Sequence, residues 1–463
     1  MLLSTTCAIL LLASPFSIVN AEEARDLRFN LAYDYGEAAF SSFSAPLYGR
    51  TPIHAPDDPL IVFNSIDTDR LSLSEHTGDG FDTLRPGRIR AVPTLISRPR
   101  SNFDFQRARL SSLRYSQSTL IEWEEVEVLG PDIEDRITLL ELAKITGNAY
   151  ALNVSQPNWY PLDPKWNTST PFGWAVDEDG FRGHVFATPD NSTVILSIKG
   201  TTLSGAGPTA KKDRFNDNRL FSCCCGYVNW SWRMRTVCDC YSGGYRCDNQ
   251  CLHEALLEES VFYNTGVNLY NNLTYLYPTA NIWIVGHSLG GALASLLGAT
   301  FGAPVVAFES PGERLAAQRL HLPNPKPSRY ANVSTYHIYH TADPIPSGAC
   351  TGVHSLCASG GYALETRCHL GKTILYDTIG KLGWSASLRS HTIKTIVTKI
   401  LNEDWEDVAA GGRAVPEAIY EENCTECFKW EFDDYHTTKA LDTDSSCLHK
   451  QEALTLVSEN AHL

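Results

Sequence analysis

Asn281-Ile-Trp-Ile-Val285 is a short apolar run that leads without a break into Gly286-His287-Ser288-Leu289-Gly290, and that pentapeptide leads into Gly291-Ala-Leu-Ala-Ser-Leu-Leu-Gly298. The first piece reads as a buried strand and the last as a small-residue helix able to pack closely on a sheet. Between them, G-x-S-x-G requires a tight strand-to-helix turn that pushes the serine hydroxyl out at the sheet's end. Glycines on either side let neighbouring backbone approach without a Cβ clash. The helix N-terminus adds backbone N–H groups and partial positive charge for an oxyanion. Five residues alone are a weak pattern; the strand before and the helix after give it weight. The expectation is an α/β fold with Ser288 as nucleophile.

In such a fold the acid and the histidine follow the nucleophile in the order Ser, Asp/Glu, His. Tyr336-His-Ile-Tyr339 alternates like a strand and leads to His340-Thr-Ala-Asp343-Pro344. An Asp at a strand end, held by a proline, suits a buried acid orienting an imidazole; a plain Asp-Pro turn is the bland alternative. His337, His340, His354 and His369 are histidine candidates. His391 is preferred, because it sits on a loop entering an apolar-periodic helix (Ile393, Ile396, Val397, Ile400), from which it can reach back over the sheet. Leu289, after the nucleophile, and Thr201, after Lys199-Gly200, are the expected oxyanion N–H donors.

Strand-like and helical stretches alternate through the middle of the chain, which fits such a sheet. Asp135 to Gly147 has helical spacing with Gly147 placed as a cap. Trp174–Val176 and His184–Ala187 read as a hairpin, Val194–Ile198 as a strand, and 253–272 as a helix. Residues 22 to about 120, rich in Pro, Arg, Ser and Asp, read as irregular or β-rich. The expected organisation is a leader at 1–21, an N-terminal region at 22–130 packing on the catalytic domain, that domain at 131–405 with a cysteine-rich insert at 221–251, and a cysteine-containing extension at 406–463.

Met1 to Ala21 carries no charged side chain, and Val19 and Ala21 fit a signal-peptidase site before Glu22. A cleaved signal and an uncleaved signal-anchor both remain open, and either puts the rest in the secretory lumen. Seven Asn-x-Ser/Thr sequons agree: Asn153, Asn167, Asn191, Asn229, Asn272, Asn332 and Asn423. So do the 14 cysteines, clustered after the leader as disulfide partners. Thirteen follow the leader, so at least one is unpaired or bonded to another chain. A formal net charge of −15 argues against nucleic acid as a partner, since neutralising phosphates needs a basic face.

Ile284-Val-Gly-His-Ser-Leu-Gly-Gly291 with the upstream Gly200-Thr201 resembles the class 3 lipases. Lys212-Asp-Arg-Phe-Asn-Asp-Asn-Arg-Leu-Phe-Ser-Cys-Cys-Cys225 and Phe308-Glu-Ser-Pro-Gly312 more closely resemble the fungal autophagy-related vacuolar lipases, over about 30–430. The resemblance implies an α/β-hydrolase with a central sheet flanked by helices and a triad at Ser288, Asp343 and His391. It further implies a single-pass type II glycoprotein that reaches the vacuole through multivesicular bodies, with their sorting machinery as a partner. There it would hydrolyse phospholipid and triacylglycerol esters, so that autophagic bodies are lysed. Two features depart from that family. The leader lacks a cytosolic basic flank, and the sequence stops soon after Cys447, where some members carry a Ser-rich tail.

Such chemistry calls for no metal or organic cofactor. Cys424-Thr-Glu-Cys427 has redox-motif spacing, but the compartment favours structural disulfides. Trp230 and Trp232, among the insert's cysteines, suggest a braced lid or membrane-contact element at the bilayer surface; a small stapled core is the alternative. Two rival functions stay open: a non-lipid serine esterase on the same fold, and a catalytically inactive membrane-binding module.

Overall fold

The structure is a computed structural model that describes residues 88–166, 168–174, 180–202, 210–228, 234–238, 240–257, 262–324, 334–350, 357 and 361–435. An antiparallel pair, β1 (Ala91–Pro99) and β2 (Trp123–Pro131), encloses helix α1 (Asn102–Tyr115). Helix α2 (Arg136–Asn148) precedes β3 (Thr168–Phe172), β4 (Gly183–Ala187) and β5 (Thr193–Ile198). After α3 (Ala210–Leu220) come four short strands: β6 (Gly226–Val228), β7 (Met234–Thr236), β8 (Tyr241–Gly243) and β9 (Arg246–Asp248). Then follow α4 (Asn249–Leu257), α5 (Phe262–Leu276), β10 (Asn281–His287), α6 (Leu289–Phe301), β11 (Val305–Phe308) and α7 (Arg314–Arg319). The remaining strands are β12 (Thr335–His340), β13 (Lys372–Tyr376), β14 (Ala418–Tyr420) and β15 (Glu431–Asp433).

Eight strands form the main sheet in the order β14-β13-β12-β11-β10-β5-β4-β3. The five from β5 to β13 run parallel, and antiparallel strands finish both edges. Both faces are covered, so the central strands are apolar throughout, and alternation sorts their side chains between two cores. Ile284, Leu196 and Val305 pack with Leu293 and Leu297 of α6 and Tyr263 and Val267 of α5. Val285, Trp283, Ile195 and Val306 pack on the other face with Leu139 and Leu142 of α2 and with Ile393, Ile396 and Val397.

Three expectations about elements shift. The described residues of the 253–272 helix fall on α4, up to Leu257, and on α5, from Phe262. Strand β4 pairs with β3, which ends before Gly173 at φ 69°, and of the expected first strand Trp174–Val176 only Trp174 lies within the described residues. Trp174 instead donates its indole N–H to the Gly183 carbonyl (3.2 Å). Helix α1 lies in the stretch read as irregular or β-rich. The Ser101 side chain caps it by accepting from Asp104 N–H, and Ser116 ends it in the left-handed conformation. Its buried side carries Gln106 and Arg109 beside Phe105 and Leu113, which blurs the apolar stripe. Arg109 is satisfied by donating to the Leu320 carbonyl (2.9 Å) and by lying over the Tyr263 ring.

Six disulfides join Cys223 to Cys427, Cys224 to Cys247, Cys225 to Cys238, Cys240 to Cys251, Cys350 to Cys357 and Cys368 to Cys424. The three consecutive cysteines thus hold three different segments. Cys447 lies outside the described residues. Among those residues no helix is long and apolar enough to cross a membrane; the leader at 1–21 lies outside them too.

Candidate active site

Ser288 stands between β10 and α6 at φ 56° and ψ −129°, a conformation that costs a residue with a Cβ on the order of 1–3 kcal/mol. Its N–H donates to the Phe308 carbonyl on β11 (3.0 Å), which fixes the turn to the neighbouring strand. Gly290 is required by packing: a Cβ there would lie 2.2 Å from the Ile198 carbonyl oxygen at the end of β5. The strained turn is thereby wedged between two parallel strands.

Asp343 follows β12 and accepts the Ile345 N–H on Oδ1 (2.9 Å). Its Oδ2 lies 2.5 Å from His391 Nδ1, and His391 Nε2 lies 2.9 Å from Ser288 Oγ. The three side chains, far apart in sequence, are all buried. Burial opposes the charge on Asp343, but the attraction and hydrogen bond of His391 outweigh it and hold the carboxyl below its ordinary value. The other histidine candidates are engaged elsewhere. His337 bonds Ser310 Oγ (2.9 Å), His340 faces the Ser390 carbonyl (3.3 Å), and His369 pairs with Glu421 (3.3 Å). His354 lies outside the described residues.

The strand ending in Gly200-Thr201 runs beside the elbow. Tyr150 Oη accepts from Gly200 N–H (3.1 Å) and donates to His287 Nδ1 (2.6 Å), tying the two segments together. Burial, then the neighbouring His391, pushes His287 well below its ordinary value, so it stays neutral and can accept. Lys199 Nζ donates to the Gly200 carbonyl (3.0 Å) and to Thr202 Oγ1 (2.6 Å). Thr201 Oγ1 donates to Asp217 (2.5 Å), and Thr202 N–H donates to Asp213 (3.1 Å). The Thr201 N–H makes no hydrogen bond to another described residue. Leu289 opens α6, where a backbone N–H has no place in the helix ladder.

Helix α3 supplies what sequence reasoning missed. Asp213, Asn216, Asp217, Asn218 and Arg219 are all buried on it, and two of them cradle the Thr201 segment. Burial, with the charge of Asp213, pushes Asp217 up to about 8 against the Thr201 hydrogen bond. The signal was present in Lys212-Asp-Arg-Phe-Asn-Asp-Asn-Arg219, a helix too polar to pack by hydrophobicity. Of the other singled-out residues, Trp230, Trp232, Asn167, Asn229 and Asn332 lie outside the described residues. Asn153 and Asn423 are exposed, and Asn191 and Asn272 half-buried.

Residues 249–350 match the family Lipase (class 3), a span that holds Ser288 and Asp343 but stops short of His391. The chain is 46% identical over 374 residues to the lipase ATG15 of Cryptococcus neoformans var. neoformans serotype D, covering 68% of this chain and 71% of that one. It is 41% identical over 402 residues to the lipase ATG15 of Mycosarcoma maydis, covering 75% and 76%. Among solved structures, a Rhizomucor miehei lipase propeptide complex is similar at 13% identity and a TM-score of 0.30, covering 66% of this chain and 90% of that one. That last likeness is too slight to bear on the site. Elbow, sheet and family match together define a lipase, a carboxylic ester hydrolase with an α/β-hydrolase fold, whose substrates are lipid esters. Within that class, the chain belongs to the ATG15 family.

Proposed function

We propose that Ser288, His391 and Asp343 are the catalytic triad of a lipase acting on membrane phospholipid as well as triacylglycerol. The observation that carries this reading is one imidazole bridging the two others, 2.9 Å from the Ser288 hydroxyl and 2.5 Å from the Asp343 carboxylate. Ser288 Oγ attacks the acyl carbonyl while His391 Nε2 takes its proton, and Asp343 holds the tautomer that leaves Nε2 free to accept. The N–H groups of Thr201 and Leu289 receive the tetrahedral oxyanion, each such donor contributing about 3 kcal/mol in the transition state. Protonation of the leaving alcohol by His391 gives an acyl-serine, and water returns along the same path to release the fatty acid.

The family relationship favours lysis of autophagic bodies and intravacuolar vesicles in the vacuole, reached by multivesicular-body sorting. In this reading the leader serves as signal or type II anchor, and the exposed Asn153 and Asn423 are the foremost glycan sites. The catalytic domain is 131–405. The region before it is docked by the Trp283 indole donating to the Leu129 carbonyl (2.7 Å). Trp230 and Trp232 are proposed to meet the bilayer.

The test is fatty-acid release from phospholipid vesicles by wild type and Ser288→Ala, at about pH 5 and about pH 7, on either side of the ordinary imidazole value. Release that vanishes in the variant is the expected result. Release equal in both would remove Ser288 from the mechanism. Activity confined to soluble non-lipid esters would favour the esterase alternative, and failure of a serine-directed phosphonate to label folded protein would favour an inactive membrane binder.

A further inference from the structure

Beside the triad lies a fourth ionisable side chain that the reaction above does not use. Glu309 follows β11 at φ 46°, another positive φ on a residue with a Cβ. Its N–H is anchored to the Ile338 carbonyl (2.9 Å), and its side chain points back under the triad. The Glu309 and Asp343 carboxylate oxygens and a ring nitrogen of His391 all lie within 4.8 Å of one another, every one buried. Glu309 Oε1 accepts the His340 N–H (3.2 Å). If both carboxylates were ionised, Oε2 would be a buried oxygen with no donor.

Two like charges this close in a buried site cannot both persist without a cation between them. Among the described residues, the ionisable groups facing Glu309 commit no cation to it. His340 Nε2 is 3.6 Å from Oε1, but burial pushes that imidazole toward its neutral form. Tyr339 is neutral, its hydroxyl pushed up by burial and by Glu421. The His391 ring gives Nδ1 to Asp343 and Nε2 to Ser288, so neither ring nitrogen is committed to Glu309. One proton placed on Glu309 resolves the conflict, since Oε2 then becomes a donor to Asp343.

We propose that Glu309 is a positioning residue that keeps its proton and donates it to the Asp343 carboxylate, so that the pair carries a single negative charge and Oδ2 is held toward His391. Burial and the charge of Asp343 both raise the Glu309 carboxyl well above its ordinary range, in keeping with that state. The shared proton draws negative charge away from the imidazole and fixes the carboxylate plane. Asp343 therefore orients His391 while bearing less than a full charge against it.

This inference rests on the triad reading. It is tested on the full chain, with pH–rate profiles for a soluble short-chain ester using wild type, Ser288→Ala, Glu309→Gln and Glu309→Leu. Gln keeps a donor and removes only the carboxyl, so its acid limb should coincide with that of wild type and its kcat should stay within about threefold. Leu removes the donor. Its kcat should fall on the order of tenfold at unchanged KM, with the acid limb moved to higher pH as the full Asp343 charge bears on the base. An acid limb moved to lower pH in Gln would mean that Glu309 is ionised in the native protein, and would overturn the proposal. So would equal losses in Gln and Leu with no movement of either limb. Should the Leu variant fail to fold, the Gln profile alone decides. Activity retained by Ser288→Ala would instead strike at the triad, while its loss together with a displaced Gln limb would strike at Glu309 alone.

Discussion

Asp217 carries a proton that an exposed aspartate would have lost. Its ordinary value is 3.8 and burial lifts it to about 8, so across that interval the folded chain holds a proton that the unfolded chain has released. Stability must therefore decline as pH rises between those limits, and Asp217 makes the fold more comfortable in acid than at neutrality. Asp217→Asn removes the titration while its amide oxygen still accepts from Thr201. Melting of the two proteins at about pH 5 and about pH 8, near the two ends of that window, should show the variant losing less stability on alkalinisation. Parallel losses would mean that Asp217 is not the protonated group. Sequence reasoning singled out Ser288, Asp343 and His391, which the fold brings together, because strand ends and chain order constrain where such groups can stand. It did not reach Asp213, Asp217, Tyr150 or Glu309, whose partners lie on elements distant in sequence, so no local spacing marks them.

The element that determines most here is the turn from β10 into α6. Gly290→Ala would set a methyl 2.2 Å from the Ile198 carbonyl, and neither backbone can yield without moving Ser288 or the Thr201 segment. The expected outcome is a folded protein destabilised by about 1–3 kcal/mol, with ester hydrolysis reduced far more than that would explain. Unfolding curves and kcat on the same preparation separate the two effects, and proportionate losses would show the turn to be merely structural. Strand β10 and helix α6 could be read from sequence because both faces of the sheet are covered and the strand is apolar throughout. Helix α1 could not, since its buried Arg109 and Gln106 imitate a solvated face. The strand that pairs with β4 ends at Phe172, before Gly173 and the predicted run.

Across the molecule, a largely buried pair joining two distant segments favours a mildly acidic setting. Burial opposes the charge on both His369 and Glu421, yet their mutual hydrogen bond and attraction, with Glu313 nearby, outweigh it. His369 is raised above 6.5, and Glu421 is lowered from 4.5 to about 2. The Glu421 contribution is complete above its unfolded value and lost as pH falls toward 2; that of His369 is complete below 6.5 and lost as pH rises through its folded value. Both are complete together only between 4.5 and 6.5. His369→Gln should therefore lower the melting temperature most at about pH 5.5, with the deficit narrowing in alkali. A deficit independent of pH would show that the pair contributes packing alone. The cysteine network reaches across the same distances. Cys224 and Cys225 find partners 23 and 13 residues away, whereas their neighbour Cys223 waits for Cys427, 204 residues downstream. During synthesis the first two bridges can close while nearly half of the chain is still unmade. The thiol of Cys223 must then survive beside two finished disulfides until nearly the last of the fold emerges. A ribosome stalled just before Cys427 leaves a nascent chain whose Cys223 thiol stands without its partner beside two finished disulfides.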